Sequence, residues 1–187
     1  MEQAAGGQKN QPRPGGSVEN EVAPATADIM DDYDGDVQVV PNSFRDYGGV
    51  SWFCGQVETV KCFENNPLVR QRLTTEDGTG KVLVVDGGGS LRRALMGDQL
   101  ATSGLEKGWR GVIINGAIRD SAEIAKIPFG CKALGTMPRK SFKKVPGEQQ
   151  VPVEFAGLRF RPGQFVYADE DGIVVSDQAL KVPRSAL

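Results

Sequence analysis

Histidine is absent from all 187 residues. That removes the usual general base, proton shuttle and commonest metal-ligating ring. Polar chemistry in this chain has to run on carboxylates, arginine, backbone amides and, where a metal takes part, a hard cation that accepts oxygen ligands. Cysteine is scarce: there are three, an odd number, with no C-x-x-C pair to suggest zinc or redox work. Cys54 and Cys62 fall on one expected strand, where eight residues at ~3.3 Å each hold them roughly 26 Å apart, too far to bridge. All three read as buried packing residues of a reducing compartment. Long apolar runs are missing as well. Stretches such as Val82 to Val85 and Gly111 to Ile114 are far too short to cross a bilayer, and no basic-then-apolar leader opens the chain. Nor is there an excess of positive charge: 22 Lys and Arg stand against 24 Asp and Glu, so no field gathers a phosphate backbone and direct nucleic-acid binding is not expected. These absences describe a soluble cytoplasmic protein.

A hydrophobic content of 39% over this length supplies one globular core without staples. Residues 1–22, rich in Gly, Gln, Asn and Pro without apolar periodicity, read as a disordered extension, and residues 23–187 as a single domain. Glu2, Glu19 and Glu21 argue against a mitochondrial presequence. The final Ser185-Ala186-Leu187 lacks the basic middle residue of a peroxisomal address.

The pattern predicts a helix capped by Thr26 and running to about Tyr33, a strand near 37–40, a long strand over 51–63 and a helix over 66–74. Lys81 to Val85 reads as a buried strand ending in Asp86-Gly87-Gly88-Gly89, after which Ser90 caps a helix through Leu91 and Leu95. A further helix spans about 99–107, and a second buried strand 111–115. A helix over 121–126 and a strand over 132–134 follow, then a basic loop over 139–144. Strands near 151–155, 158–160, 165–168 and 172–175 close the chain, with turns at Ala156-Gly157, Arg161-Pro162-Gly163 and Asp169-Glu170-Asp171. The result is an α/β middle with a β-rich end.

Four residues collect where two strand-loop-helix units open. Asp98 sits near a helix start, Arg119 and Asp120 lie just past the next strand, and Glu123 is one helical turn further on. Ligand sites of open α/β sheets gather at such edges. Clustered carboxylates repel one another unless a cation neutralises them, and Mg²⁺ suits a site of one or two carboxylates, waters and substrate oxygens. Arg119 can grip a substrate carboxylate at two points. By spacing alone the bland reading stays open: Asp120 and Ser121 cap the next helix, Glu123 completes a capping box and Arg119 makes a surface ion pair. The Asp86-Gly87-Gly88-Gly89-Ser90 loop is balanced between an anion-holding helix start and a tight structural turn. Gly97-Asp98-Gln99-Leu100 offers a second set of helix-start amides. The basic loop Arg139-Lys140-Ser141-Phe142-Lys143-Lys144 reads first as a solvated face, and Asp169-Glu170-Asp171-Gly172 as a turn rather than a calcium loop.

Val84-Val85-Asp86-Gly87-Gly88-Gly89-Ser90, Gly97-Asp98, Gly116-x-x-Arg119-Asp120, Lys132-Ala133-Leu134-Gly135-Thr136 and Tyr167-Ala168-Asp169-x-Asp171-Gly172 together resemble one family over roughly residues 25–176. That family joins the regulator of ribonuclease E activity A with the class II 4-hydroxy-4-methyl-2-oxoglutarate aldolase. The aldolase motif is Asp, twenty residues, Arg-Asp, two residues, then Glu or Asp; Asp98, Arg119, Asp120 and Glu123 match it in full. The resemblance implies a swivelling β/β/α-type α/β domain, with mixed sheets and flanking helices, assembled as a homotrimer or dimer of trimers with active sites between subunits. It also implies Mg²⁺ or Mn²⁺ as cofactor, contacted by Asp120, with Glu123 either reaching it through water or only completing the capping box. Arg119 then binds the pyruvyl moiety, Asp98 orients water at the metal, and the amides of Gly97, Asp98, Gln99 and Leu100 hold pyruvate oxygens. The implied activity is divalent-metal-dependent cleavage of 4-hydroxy-4-methyl-2-oxoglutarate-type 2-keto acids to pyruvate, with decarboxylation of oxaloacetate and no Schiff-base lysine. The family also implies a different role, a protein that docks on a ribonuclease E-type endonuclease and inhibits it without catalysis.

Overall fold

The computed structural model describes residues 25–41, 43–143 and 147–181. The expected disordered extension over 1–22, the final Ser185-Ala186-Leu187 and Lys144 of the basic loop lie outside the described residues. In chain order the elements are α1 (Thr26–Tyr33), β1 (Gln38–Val40), β2 (Arg45–Asp46), β3 (Phe53–Lys61), α2 (Pro67–Thr75), β4 (Lys81–Asp86), β5 (Ala94–Met96) and α3 (Asp98–Glu106). After them come β6 (Gly111–Ile118), α4 (Ser121–Ile124), β7 (Gly130–Thr136), β8 (Glu148–Gln149), β9 (Val153–Phe155), β10 (Leu158–Phe160), β11 (Phe165–Ala168) and β12 (Ile173–Ser176).

Ten of the strands form one mixed sheet in the order β1-β12-β11-β3-β4-β6-β7-β2, with β5 added beside β6 and β8 beside β3; β9 and β10 form a separate hairpin. The centre, β3-β4-β6-β7, is parallel, and the runs Val82 to Val85 of β4 and Val112 to Ile114 of β6 are apolar without alternation because both faces are covered. Leu83, Val85, Val112 and Ile114 face a core shared with Leu73 of α2 and Leu100 of α3. Their neighbours Val82, Val84 and Ile113 face the opposite core, closed by Phe155 and Phe160 of the hairpin. The mixed α/β architecture expected from the sequence is therefore present.

Three local expectations are corrected. Ser90 caps no helix: the residues after it run into β5, where Ala94, Leu95 and Met96 are all buried. Three consecutive buried residues suit a strand held inside the sheet rather than one face of a helix. The second buried strand does not stop at Asn115 but continues to Ile118, because β5 and β7 still pair with it there. Thr26 does not cap its helix, since the cap position is Ala25. Its hydroxyl instead donates to Asp169 Oδ1 at 2.7 Å and its amide to Asp169 Oδ2 at 2.6 Å, fastening α1 to the turn after β11. Replacing Thr26 with valine keeps the shape and the amide bond but removes one hydrogen bond to a charged group, and should lower unfolding stability by about 1.5 kcal/mol in urea titrations.

No cysteine is joined in a disulfide among the described residues. Cys62 and Cys131 are buried, and burial pushes the Cys62 thiol up to about 12 and raises that of Cys131 further, so neither is reactive. Cys54 is half-buried rather than fully enclosed. No helix among the described residues is long and apolar enough to cross a membrane.

Candidate active site at the head of helix three

A cleft of ≈ 100 Å³ opens at the carboxyl end of the parallel strands. Asn66 and Arg70 line it from α2, Ala94 and Met96 from β5, Gly97 to Leu100 from the head of α3, Arg119 from the exit of β6, and Lys140, Ser141 and Lys143 from the basic loop. Placement follows from the sheet. The amide of Arg119 donates to the carbonyl of Met96 at 2.9 Å, so the end of β6 is laced to the residue before the α3 head. The expected substrate residues Gly97, Asp98, Gln99, Leu100 and Arg119 are thereby brought together.

Arg119 and Asp120 meet directly, with Nε 3.2 Å from Oδ2 and the side chains 41% and 37% exposed. The terminal guanidinium nitrogens of Arg119 have no acceptor among the described residues, so its fork is available to a ligand. Asp120 adopts φ 56°, the left-handed region, and makes no capping bond from its side chain. An aspartate tolerates that conformation better than most residues. The turn thus aims the carboxylate back over Gly97 instead of down onto α4. An added Cβ on Gly97 would lie 2.5 Å from Asp120 Oδ2 and 3.2 Å from Arg119 Cγ and Nε. Glycine at this position is what lets the carboxylate approach the helix head.

At that head the first-turn amides have no intrahelical acceptor. Leu100 N–H turns back to Gly97 O at 3.2 Å, whereas those of Asp98 and Gln99 donate to nothing among the described residues. The amides of Asp98 and Gln99 therefore remain open, with the positive end of the nine-residue α3 behind them. Asp98 is half-buried in the cleft wall, and its carboxylate has no hydrogen-bond partner among the described residues. Glu123 is placed differently: it faces solvent and pairs with Lys126 at 2.9 Å.

Among the described residues no three Asp, Glu or Cys side chains converge. A divalent ion at this place would take a single carboxylate, Asp120, with water and substrate oxygens filling its shell. That is a pattern Mg²⁺ accepts.

The glycine-rich loop is a structural turn. Gly87 and Gly89 donate to Asn115 O at 3.0 and 3.1 Å, and Gly88 donates to Asp86 Oδ1 at 2.9 Å. With those amides spent, the loop offers no anion site. Asp169 likewise turns the chain on itself, accepting from Asp171 N–H at 3.0 Å. Sequence reasoning did not connect Asn66, Arg70 or the basic loop to the cleft. Only the composition of the loop carried a signal, since Arg70 is one exposed cation among many on the surface.

A family model described as RraA-like, Aldolase/RraA, matches residues 24–175. A protein of Azotobacter vinelandii named "Putative 4-hydroxy-4-methyl-2-oxoglutarate aldolase" is 51% identical over 158 residues, spanning 84% of this chain and 97% of its own. The structure of the RNA-processing inhibitor RraA from Thermus thermophilis superposes with a TM-score of 0.81 at 44% identity, covering 87% of this chain and 98% of that one. A Geobacillus kaustophilus structure described as S-adenosylmethionine: 2-dimethylmenaquinone methyltransferase superposes equally, with a TM-score of 0.81 at 49% identity over 85% and 99% of the two chains. A match over most of the chain, carried by relatives at about half identity, establishes that this protein belongs to the RraA-like (Aldolase/RraA) family.

Proposed function

We propose that this protein is a divalent-metal-dependent lyase that releases pyruvate from 2-keto acids of the 4-hydroxy-4-methyl-2-oxoglutarate type and decarboxylates oxaloacetate. The observation that carries this reading is the meeting of Arg119, Asp120 and the open α3 head around Gly97. Arg119 grips the substrate carboxylate with its terminal nitrogens. The amides of Asp98 and Gln99 point at the oxygens of the same pyruvyl end and favour negative charge there, assisted by the helix dipole. Asp98 holds a water in place for proton delivery to the pyruvyl carbon once the carbon-carbon bond has broken. Asp120 would hold Mg²⁺ or Mn²⁺, which supplies the Lewis acidity that stabilises charge on the 2-keto oxygen. The relatives named as aldolases support this reading.

The far side of the cleft carries Arg70, Lys140 and Lys143, a cationic wall suited to a second carboxylate. Purified protein with Mg²⁺ should release pyruvate from oxaloacetate and lose that activity in EDTA. Lys143→Ala should raise KM for oxaloacetate about tenfold, the worth of one charge-assisted contact, while leaving kcat little changed. Absence of pyruvate release across a panel of 2-keto acids with either metal would end the assignment.

The similarity to an RNA-processing inhibitor favours a second reading, docking on a ribonuclease without catalysis. A pull-down with ribonuclease E-type enzymes decides between them: binding and inhibition that survive Asp120→Ala favour the regulator.

A further inference from the structure

We propose that Asn115 and Asp86 are positioning residues that aim Arg119 and Asp120 through a one-residue bulge in β6, a role that rests on the lyase reading for its effect on turnover but not for its effect on the two side chains. The bulge is visible in the pairing. Ile114 stands beside Ala133 of β7 and Ala117 beside Gly135, so β6 holds one residue more than its neighbour over that stretch. Asn115 and Gly116 are the residues between. On the other side Ala94 of β5 stands beside Ala117 and Met96 beside Ile118, so the irregularity is shared by both neighbours of the strand's end. An extra residue in a strand changes the face taken by every side chain after it, and such bulges re-aim side chains next to active sites. Arg119 and Asp120 follow Ile118 directly, so the bulge sets the direction in which each leaves the sheet. Without it the two would exchange places.

A clasp on Asn115 fixes the bulge. Its side-chain amide donates to Asp86 Oδ1 at 2.9 Å, and its carbonyl accepts from Gly87 and Gly89 N–H at 3.0 and 3.1 Å. Asp86 Oδ1 takes a second bond from Gly88 N–H at 2.9 Å. Asp86 is 8% exposed and has no ion pair among the described residues, so hydrogen-bond donors alone hold its buried carboxylate. Losing one of them is costly. The loop also presses on the bulge: a Cβ on Gly87 would lie 2.7 Å from Asn115 O and 2.6 Å from Leu95 Cδ1, and one on Gly116 3.3 Å from the same methyl. The glycine-rich turn that holds no anion thus braces the strand that carries Arg119.

Side-chain NMR on the full-length protein reads this placement without any ligand. The Arg119 Nε–Hε resonance, identified by its loss in Arg119→Ala, reports the contact with Asp120 Oδ2 at 3.2 Å. Asn115→Ala should stay folded by circular dichroism yet move that resonance toward the position of a free arginine. It should also lower kcat/KM for oxaloacetate about 10²-fold, the scale of a misplacement of about 1 Å. Asn115→Ser, the milder change, is read in the same way where Asn115→Ala melts. Asp86→Ala should act like Asn115→Ala, whereas Asp86→Asn keeps an oxygen for both donors and should recover most of the resonance position and the rate. Thr26→Val, which weakens the fold at the turn after β11, should alter neither. An unmoved Arg119 resonance in a folded Asn115 variant overturns the proposal, whatever the turnover. So does Asp86→Asn that is no better than Asp86→Ala, or Thr26→Val that shifts the resonance equally. A resonance that moves in Asn115→Ala while the wild type releases no pyruvate from any 2-keto acid ends the lyase reading and leaves the positioning role standing.

Discussion

Asp120→Asn and Arg119→Ala should each cut pyruvate release from oxaloacetate by about 10³-fold, the scale seen when one preorganised charge-stabilising group is removed from an active site. Asparagine is the informative replacement at position 120, because it also tolerates the left-handed backbone that Asp120 occupies at φ 56°. The turn is then kept and only the negative charge is lost. Arg119 is 41% exposed, and its one ion pair is to Asp120. Truncating it should therefore move folding stability by no more than about 0.5 kcal/mol. Melting curves and steady-state kinetics on the same samples separate the two effects. Full turnover in both variants would show that the cleft does not perform this chemistry. Titration of Mn²⁺ followed by electron paramagnetic resonance adds a readout besides turnover: Asp120→Asn should weaken ion binding, whereas Arg119→Ala should leave it nearly intact.

Gly97→Ala should lower kcat/KM by at least about 10²-fold while the protein stays folded. The backbone at Gly97, φ −136° and ψ −174°, is extended and open to alanine, so strain is not the cause. The cause is the methyl group, which would lie 2.5 Å from Asp120 Oδ2 and 3.2 Å from Arg119 Nε. Both side chains are partly exposed and can swing aside, which protects stability but misplaces the carboxylate and the guanidinium together. A displacement of about 1 Å at a reacting centre is worth about 10² in rate. Gly157→Ala is the complementary control. At Gly157 the backbone is left-handed, φ 76°, with nothing within 4 Å of an added Cβ. It should cost about 1 kcal/mol of stability through backbone conformation alone and leave turnover unchanged. Equal kinetics for Gly97→Ala and wild type would mean that the close approach seen here plays no part in the reaction.

Much of this fold is legible in the sequence where a local rule acts alone. The turn at Ala156-Gly157 and the buried strands around Val84 and Ile113 follow from backbone preference or apolar run length. Ser90 misleads because a serine followed by Leu91 and Leu95 imitates a capped helix, while the third buried residue, Met96, and the pairing with β6 depend on a strand far along the chain. Thr26 misleads for the same reason: its partner Asp169 is 143 positions away. Arg70 stays invisible as a cleft residue because a lone cation carries no local pattern, and the basic loop with Lys140 and Lys143 shows its charge in the sequence but not that it folds against the cleft.

By itself, the sequence narrowed the chemistry open to this chain. With no histidine, polar chemistry is left to carboxylates, arginine and backbone amides, and spacing places Asp98, Arg119 and Asp120 at the mouths of neighbouring strand-helix units. It could not choose between capping and chemistry, since both readings use the same residues at the same intervals. Tertiary structure removed the capping reading for Asp120 and gathered the group through three long-range facts: β6 runs on to Ile118, Arg119 is tied to Met96, and Asp120 turns its carboxylate over Gly97 instead of onto its own helix. The physical reason is that a cap is a local hydrogen bond, whereas a site is a convergence of chain segments that only the sheet brings together.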